Sequence, residues 1–183
     1  AHPHALVSFS IVRQPPDTNI IPQARHVCGR VGYAKYKLPG TRELGDSIAA
    51  SFREGFDVVL MENHGTVVGG KSLSMAFQKF ETLEFCARTQ IEAASIGKLN
   101  TLSDEQISLF TDRRRDLPEF VHVEPSSKEL WLRGEICHIV KRAYRQRLII
   151  STYGTFSVRL DGNDFLITPY GIDRYYLKRE NIV

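Results

Sequence analysis

Three histidines, lying in two separate stretches of the chain, have the side chains and the spacing of a metal site. His2 and His4 are two positions apart, and on a β-strand residues i and i+2 point to the same face. His64 follows an apolar run at 57–61 and precedes a glycine, where the backbone can bend. Three imidazoles with one open position are typical of catalytic zinc, which polarises a bound carbonyl or enediolate. The pattern therefore predicts a zinc centre held by His2, His4 and His64.

Each of these histidines also has a plainer interpretation. A terminal His-x-His pair is often only solvated, and a lone histidine after a strand commonly hydrogen-bonds within a turn. The register of the pair is open as well: a histidine immediately before Ala1 would pair with His2 and leave His4 outside the site. The remaining histidines lack a suitable partner in sequence; they are His26, His122 and His138.

Two glycines in the C-terminal part indicate a different chemistry. Gly154 and Gly171 flank a predicted hairpin, and glycine loops let backbone N–H groups approach a phosphate. Turn geometry alone also explains such glycines, and for Gly162, which follows Asp161, it is sufficient. The arginine run at 113–115 is too short for a nucleic-acid footprint and is typical of a solvated linker.

The elements that must position these residues are a mixture of helices and strands. Apolar runs at 57–61 and 66–68 predict two neighbouring strands, with the third histidine near the bend between them. A helix is predicted over 41–55, and an apolar stripe through 72–96 predicts a longer helix packed in the core. Residues 4–12 form either a strand or a short helix, which periodicity alone does not decide.

A second segment begins after a linker. Residues 111–125 are charged, contain two prolines and lack periodicity, so we interpret them as the linker. Ser103 and Ser126 each open a capping box, and a helix of about 20 residues is predicted after Ser126. Residues 155–160 and 165–168 are predicted to pair as a β-hairpin.

The composition excludes several classes of protein. The chain has 183 residues, 42% hydrophobic and 25% charged, with a net charge of +3, which is typical of a folded globular protein. These values exclude a disordered, collagen-like or disulfide-stapled chain, and no apolar run is long enough for a membrane-spanning helix. The weak net charge argues against a nucleic-acid partner. Three widely spaced cysteines and a start without a leader make the cytoplasm the expected compartment.

The histidine motifs resemble those of the class II aldolase/adducin family, which includes the L-fuculose-phosphate aldolases. The matching stretches are His2-Pro3-His4-Ala5, Met61-Glu62-Asn63-His64-Gly65 and Tyr36-x-x-Pro39-Gly40-Thr41-x-Glu43-Leu44. In that family the His-x-His pair and the histidine of the Asn-His-Gly motif bind zinc, which implies His2, His4 and His64 as ligands here. The resemblance also implies an α/β fold with three layers, α/β/α, and a mostly antiparallel central sheet.

The C-terminal segment resembles the opening part of the same family. Residues 153–159 are similar to its Gly-Asn-x-Ser-x-Arg motif, and residues 165–171 to its Leu-Ile-Thr-Pro-x-Gly motif. The family holds the substrate phosphate with these loops, which implies substrate-binding roles for Gly154, Thr155, Tyr170 and Gly171. Thr155 stands where the family has asparagine, and Tyr170 stands where it has serine or threonine.

The two family segments occur in reversed order along the chain. Residues 1–110 resemble the later, metal-binding half of the domain, and residues 126–183 resemble its opening. The family's middle stretch, with its acid/base glutamate, is absent from the sequence, and Glu62 is the nearest glutamate to the histidines. By the same resemblance a tyrosine from a neighbouring subunit transfers protons. Tyr33 or Tyr36 could serve, and packing explains either equally well.

The resemblance implies a zinc-dependent aldolase-type lyase that cleaves a small sugar or sugar phosphate through a metal-stabilised enediolate. The same chemistry also supports an epimerase or a dehydratase. The alternative to an enzyme is a non-catalytic, adducin-like module that uses the same fold for assembly. Family members are commonly tetramers with sites between subunits, so we expect a homo-oligomer without membrane or nucleic-acid partners.

Overall fold

The computed structural model describes residues 1–112 and 124–183. The chain divides into two compact units, Ala1–Arg114 and Arg115–Val183, and the described part of each has its own apolar core. The division falls within the predicted linker, and residues 113–123 of that linker, with the arginine run and His122, lie outside the described residues. In the described ranges no helix has the length and apolar character needed to cross a bilayer.

The first unit combines helices with three strands. Its elements are α1 (His4–Ile11), a 3₁₀ turn (Thr18–Ile20), α2 (Pro22–Cys28), β1 (Val31–Ala34), α3 (Arg42–Arg53), β2 (Val58–Met61), β3 (Gly65–Val68), α4 (Leu73–Ile96) and α5 (Asp104–Thr111). The helices predicted over 41–55 and 72–96 are confirmed as α3 and α4. The capping box predicted at Ser103 is present at the start of α5.

A three-stranded sheet lies at the centre of this unit. β1 and β2 are parallel, whereas β2 and β3 are antiparallel with Met61 opposite Gly65. The predicted pair of neighbouring strands is therefore confirmed, and the histidine of the Asn-His-Gly motif lies in the turn that joins them. All four residues of β2 are buried, as expected for a central strand covered on both faces.

Side chains of β2 alternate between two apolar clusters, one on each face of the sheet. The clusters include Leu6, Val58, Leu60 and Leu83 on one face and Leu44, Val59 and Met61 on the other. Because successive strand residues point to opposite faces, α1 and α4 cover one face and α3 covers the other. The predicted α/β class and its α/β/α layering are confirmed; the central sheet contains one parallel and one antiparallel pair.

Helix α1 replaces the extended segment that the His-x-His prediction assumed. Pro3 is extended, with φ −71° and ψ 145°, but His4 is the first helical residue, so the two histidines do not share the face of a strand. The Glu84 carboxylate accepts hydrogen bonds at 3.1 Å from the backbone N–H groups of Ala5 and Leu6. A carboxylate at a helix N-terminus satisfies unpaired donors and interacts favourably with the helix dipole. This contact from α4 explains why the chain becomes helical at residue 4.

Helix α4 buries a narrower face than its apolar stripe predicts. Its buried residues are confined to the middle: Thr82, Leu83, Cys86, Ala87 and Gln90. Leu73 and Phe77, which the stripe assigns to the core, are 88% and 52% exposed. The prediction of core packing along the whole of 72–96 is therefore wrong. The reason is length, since the main partners of this 24-residue helix, α1 and α2, have only 8 and 7 residues.

The second unit packs a helix against a β-hairpin. Its elements are α6 (Ser127–Arg145), β4 (Ser157–Arg159), β5 (Phe165–Ile167) and a 3₁₀ turn (Arg179–Asn181). Ser126 Oγ accepts from Glu129 N–H at 3.2 Å and caps α6. The predicted capping box is incomplete in the described residues, because the Glu129 carboxylate accepts from Arg133 instead of from the Ser126 N–H. The predicted hairpin is confirmed, with Val158 opposite Leu166 in an antiparallel pair. The apolar core of this unit includes Ile136, Cys137, Val140, Leu166, Leu177 and Ile182.

The three cysteines, Cys28, Cys86 and Cys137, are free and buried. Burial raises the pKa of Cys28 and of Cys86 to about 12, so both thiols stay protonated at neutral pH. They therefore act as small apolar side chains in the core and not as reactive or metal-binding thiolates.

Candidate functional site

The turn between β2 and β3 carries the Asn-His-Gly motif and is closed by backbone hydrogen bonds. Asn63 has a positive φ of 53°, a conformation that asparagine adopts more readily than most residues. Its N–H donates to Ser10 O at 3.1 Å, and His64 N–H donates to Met61 O at 3.1 Å. These bonds close the turn and tie it to α1, so the fold determines where His64 lies.

Gly65 lets a second segment approach this turn closely. Its φ is 149°, and a Cβ built there would lie 2.3 Å from Ala1 O. The Ala1 amino group donates to Thr66 O at 2.9 Å, and Thr66 N–H donates to Ala1 O at 3.0 Å. Residue 1 thus pairs with β3 as a strand residue would, and this pairing brings His2 next to the turn.

The imidazole rings of His2 and His64 are stacked at this point. Their centroids are 5.0 Å apart and their planes differ by 21°. Nδ1 of His64 is buried and has no hydrogen-bond partner within the described residues. His4 is exposed at the start of α1, and across residues 1–112 and 124–183 no three His, Cys, Asp or Glu side chains are arranged to hold a metal ion. The structure therefore brings together two of the three predicted ligands.

The stacked pair has the chemistry of a partial metal site. A buried polar atom without a partner is costly, and a bound ion would satisfy Nδ1 of His64. Neutral imidazole is the commonest protein ligand for transition metals such as zinc. Because zinc centres use at least three protein donors, these two rings fit the metal but do not complete its shell. The three-histidine set stays a prediction.

Glu62 anchors the same turn through contacts that no sequence motif indicated. Its carboxylate accepts from Arg13 Nε at 2.8 Å and from the backbone N–H of Tyr36 at 3.0 Å. The hydrogen bond from Tyr36, together with the charge of Arg13, holds the pKa of Glu62 below its usual value. Since both carboxylate oxygens are engaged, Glu62 serves as a structural anchor of the turn.

The two candidate tyrosines differ in their surroundings. The hydroxyl oxygen of Tyr33 is buried near the Glu62 carboxylate, without a well-formed hydrogen bond in the described part of the chain. Burial and then the neighbouring negative charge raise the pKa of Tyr33, so its hydroxyl keeps its proton at neutral pH. Tyr36 is 52% exposed. Of the two, Tyr33 is the one whose hydroxyl is buried beside the Glu62 carboxylate, and the catalytic role of either stays a prediction.

The four predicted substrate-binding residues lie in two loops of the second unit. Gly154 and Gly171 have positive φ values of 82° and 75°, which favour glycine. A Cβ at Gly154 would lie 2.7 Å from Ile149 Cγ2, whereas nothing lies within 4 Å of one at Gly171. Thr155 and Tyr170 are exposed beside these glycines. The binding roles of all four stay predictions.

A buried arginine joins these two loops. Arg174 is 3% exposed; its Nε donates to Gly154 O, and its Nη1 donates to Pro169 O and Ile172 O, each at 3.0 Å. Its backbone N–H donates to Ser151 O at 2.8 Å. Burial lowers the pKa of the guanidinium. Sequence analysis missed Arg174 because arginine is mostly an exposed residue and no motif marks this one as buried.

A separate pocket of about 370 Å³ is formed in the first unit. It is lined by Pro16, Asp17, Thr18, Asn19, Arg25, Arg30, Val31 and Asp104. None of the predicted site residues lines it. With two aspartates and two arginines, its charges balance and favour neither an anion nor a cation.

The fold and the turn define the class of protein. The first unit is an α/β/α structure whose central hairpin presents an Asn-His-Gly turn beside a second histidine. The chain belongs to the class II aldolase and adducin family, because the sequence profile of the Class II Aldolase and Adducin N-terminal domain matches residues 1–91 and 134–183. The family resemblance predicted from the motifs is therefore confirmed.

Relatives within this family are named as sugar-phosphate aldolases. The chain is 36% identical over 76 residues to 5-deoxy-D-ribulose 1-phosphate aldolase of Bacillus thuringiensis serovar kurstaki, covering 40% of this chain and 34% of that protein. It is 29% identical over 102 residues to L-fuculose phosphate aldolase of Methanocaldococcus jannaschii, covering 55% of this chain and 51% of the relative. The chain thus spans about a third to a half of the length of these two relatives.

The structure is similar to that of an L-fuculose 1-phosphate aldolase. The TM-score is 0.54 and the sequence identity is 31%. The match covers 61% of this chain and 52% of the aldolase. The likeness in fold therefore extends over about half of an aldolase, close to the 51% of the Methanocaldococcus jannaschii relative that the sequence match covers.

Proposed function

We propose that the chain is part of a divalent-metal-dependent aldolase-type lyase that cleaves a carbon–carbon bond in a small sugar or sugar phosphate. One observation carries the proposal: the stacked rings of His2 and His64, with a buried and unpaired Nδ1, lie on the Asn-His-Gly turn. Membership of the family and the names of its aldolase relatives support the type of reaction.

His2 and His64 are the residues that would hold the metal ion, and His4 remains the predicted third ligand. A divalent cation bound there would polarise a substrate carbonyl and stabilise the negative charge that develops when the bond breaks. The fold supplies the preorganisation that such a site needs. The hydrogen bonds of Asn63 and the close approach at Gly65 hold the His64 turn against the segment that carries His2.

Proton transfer is the part of the reaction that we assign to Tyr33. The choice rests on position, because the hydroxyl oxygen of Tyr33 is buried near the carboxylate of Glu62, the residue that precedes the Asn-His-Gly motif. The Glu62 carboxylate, held by Arg13 and by the backbone of Tyr36, keeps a negative charge near that hydroxyl. Tyr36 is the less suitable donor because its side chain lies at the surface.

Metal content tests the proposal. The full chain, loaded with zinc and dialysed, is expected to retain about one zinc per chain by elemental analysis. His64→Ala is expected to lose it, whereas His138→Ala, which removes an exposed histidine from α6, keeps it. Retro-aldol cleavage of a panel of sugar phosphates is expected to follow metal content. Equal zinc retention by His64→Ala and the unaltered chain would contradict the proposal.

A specific observation favours one alternative, a non-catalytic adducin-like assembly module. Within the described ranges, the side chains do not form a three-ligand metal group. Folded protein that retains no zinc and cleaves no sugar phosphate would support this alternative. The homo-oligomer implied by the family resemblance is a separate prediction for either function, and light scattering after size-exclusion chromatography tests it.

A further inference from the structure

The pocket of the first unit has walls that hydrogen bonds between distant segments hold in place. Asp17 N–H donates to Gln90 Oε1 at 2.9 Å, which ties the wall to α4. Thr18 Oγ1 donates to Gly29 O at 2.8 Å, which ties it to the end of α2. The cavity of about 370 Å³ is therefore preformed. Its volume lies near the lower end of the range for small-molecule sites, about 300–1,000 Å³.

The two guanidinium groups of this pocket have donors that the protein does not use. Nη1 of Arg25 makes a long hydrogen bond of 3.4 Å to Thr18 Oγ1, and its side chain makes no other hydrogen bond within residues 1–112 and 124–183. Nη2 of Arg30 lies 4.0 Å from Asp104 Oδ2, which is too far for a hydrogen bond. A guanidinium has five N–H donors in a planar fork that matches a carboxylate. The unused donors therefore favour a ligand that carries a carboxylate.

The acceptors of the pocket are also incompletely used. Oδ1 of Asp17 accepts from the Asn19 N–H at 2.8 Å, and Oδ1 of Asp104 accepts from Asn19 Nδ2 at 3.2 Å. The second oxygen of each carboxylate accepts no hydrogen bond in the described part of the chain. Oδ1 of Asn19 is buried and has no partner there either. Acceptors that lack a donor favour a ligand with a cationic N–H group.

The balance of charge disfavours a simple ion in this pocket. A ligand with only a negative charge would be repelled by the two carboxylates, and a ligand with only a positive charge would be repelled by the two guanidinium groups. A molecule that has both a carboxylate and an ammonium group uses the free donors and the free acceptors together. The free α-amino acids have these two groups on a single carbon atom.

We propose that this pocket binds the α-carboxylate and α-ammonium groups of a free amino acid. Arg25 and Arg30 bind the carboxylate, and Asp17 and Asp104, next to Asn19, bind the ammonium group. The site goes beyond the proposed function, because none of the residues predicted for the metal or the substrate lines the pocket. The amino-acid site and the lyase activity are therefore tested independently of each other.

Titration of the unaltered chain with L-alanine tests the inference, because alanine carries both charged groups and only a methyl side chain. In nuclear magnetic resonance spectra, alanine is expected to shift the Nε–H resonances of Arg25 and Arg30 in a saturable manner. The backbone amides of the Asn-His-Gly turn are expected not to shift, which distinguishes this pocket from binding at the histidines. N-acetyl-L-alanine lacks the ammonium group and L-alaninamide lacks the carboxylate, so each is expected to bind about tenfold or more weakly. No saturable shift with alanine, or equal affinity for alanine and either analogue, would overturn the inference.

Substitutions assign each charged group of the ligand to its partners in the pocket. Arg25→Met is expected to weaken alanine binding by about tenfold or more and to reduce the preference for alanine over L-alaninamide. Asp17→Asn, which keeps an oxygen for the Asn19 N–H, is expected to reduce the preference for alanine over N-acetyl-L-alanine. Arg53→Met, which removes an exposed charge from α3, is the matched control and is expected to keep the affinity and both preferences. Normal alanine binding by Arg25→Met, or weaker binding with both preferences unchanged in Arg25→Met and Asp17→Asn, would contradict the assignment.

Discussion

The turn of the first unit and the loops of the second unit use glycine in different ways. At Gly65 the backbone of another segment fills the space where a side chain would be, with Ala1 O only 2.3 Å from a built Cβ. At Gly171 that space is open, and at Gly154 it is occupied by side chains, with Ile149 Cγ2 at 2.7 Å and Phe156 Cε2 at 3.5 Å from a built Cβ. Gly65 therefore serves packing that assembles the histidine pair, Gly154 packs against side chains of its own unit, and Gly171 lies in open space.

The two regions also differ in the sign of the charged side chain that each contains. The turn contains the Glu62 carboxylate, paired with Arg13, and a buried imidazole nitrogen of His64 without a hydrogen-bond partner among the described residues. The loops contain the Arg174 guanidinium, which forms no ion pair with a carboxylate of residues 1–112 or 124–183. Residues 1–112 have 11 Lys and Arg against 12 Asp and Glu, and residues 124–183 have 10 against 7. The local difference is thus matched by the net charge of each segment, which is −1 for residues 1–112 and +3 for residues 124–183.

Replacing Gly65 is expected to have the largest effect on stability. Gly65→Ala places a Cβ against Ala1 O at a φ that disfavours L-residues, so we expect a loss of about 3 to 4 kcal/mol in the free energy of unfolding. Gly45→Ala is the matched control: Gly45 lies within α3 with open space around it, and alanine there is expected to stabilise by about 0.5 to 1 kcal/mol. Urea denaturation measures both. If Gly65→Ala left the free energy of unfolding unchanged, the contrast between Gly65 and the loop glycines would be refuted.

The loop glycines are expected to give smaller and unequal effects. Gly154→Ala meets Ile149 Cγ2 as well as an unfavourable φ, so we expect a cost of about 2 kcal/mol. Gly171→Ala carries only the conformational cost, about 1 kcal/mol. Thermal unfolding with and without inorganic phosphate separates stability from binding. Equal losses at the two positions would show that the Ile149 contact does not matter.

Glu62→Gln is expected to weaken the turn in a pH-dependent manner. Because the pKa of Glu62 is lowered in the folded state, its ionisation stabilises the fold above its ordinary value of 4.5. That stabilisation is lost as the pH falls through the folded-state pKa. Glu62→Gln should therefore have a lower free energy of unfolding than the unaltered chain at pH 7. In acid the two free energies of unfolding should become similar. The control is Glu54→Gln at an exposed position, which is expected to change stability little at either pH. If Glu62→Gln lowered the free energy of unfolding by the same amount at both pH values, the stabilising role of ionised Glu62 would be contradicted.

Tyr33→Phe is expected to have the smallest effect on stability. It removes a buried hydroxyl that lacks a well-formed hydrogen bond, so the free energy of unfolding should change by less than about 1 kcal/mol. If Tyr33 donates a proton, turnover of a cleaved sugar phosphate should fall by about 100-fold or more while zinc content is unchanged. Tyr36→Phe is the control and should keep its activity. If Tyr33→Phe kept full turnover, Tyr33 would not be the proton donor.

Local patterns were enough to predict much of the fold. The strands around the Asn-His-Gly turn, the helices over 41–55 and 72–96, and the capped helix after Ser126 all follow from hydrophobic periodicity and capping residues. The family also follows from short motifs, because catalytic and binding loops need particular residues at fixed spacing. Contacts between distant segments were not predictable in this way. Neither the Glu62–Arg13 pair nor the Leu73 exposure belongs to a local pattern.

The sequence by itself determined the family, the order of most elements and the Asn-His-Gly turn, since each depends on residues that are close in the chain. Tertiary structure decided that residues 4–11 are helical, because the carboxylate that caps them comes from Glu84 on another helix. It also decided that His2, and not His4, stacks on His64, and that Arg174 is buried between two loops. Burial and long-range hydrogen bonding depend on which segments meet in space, and a one-dimensional pattern does not contain that information.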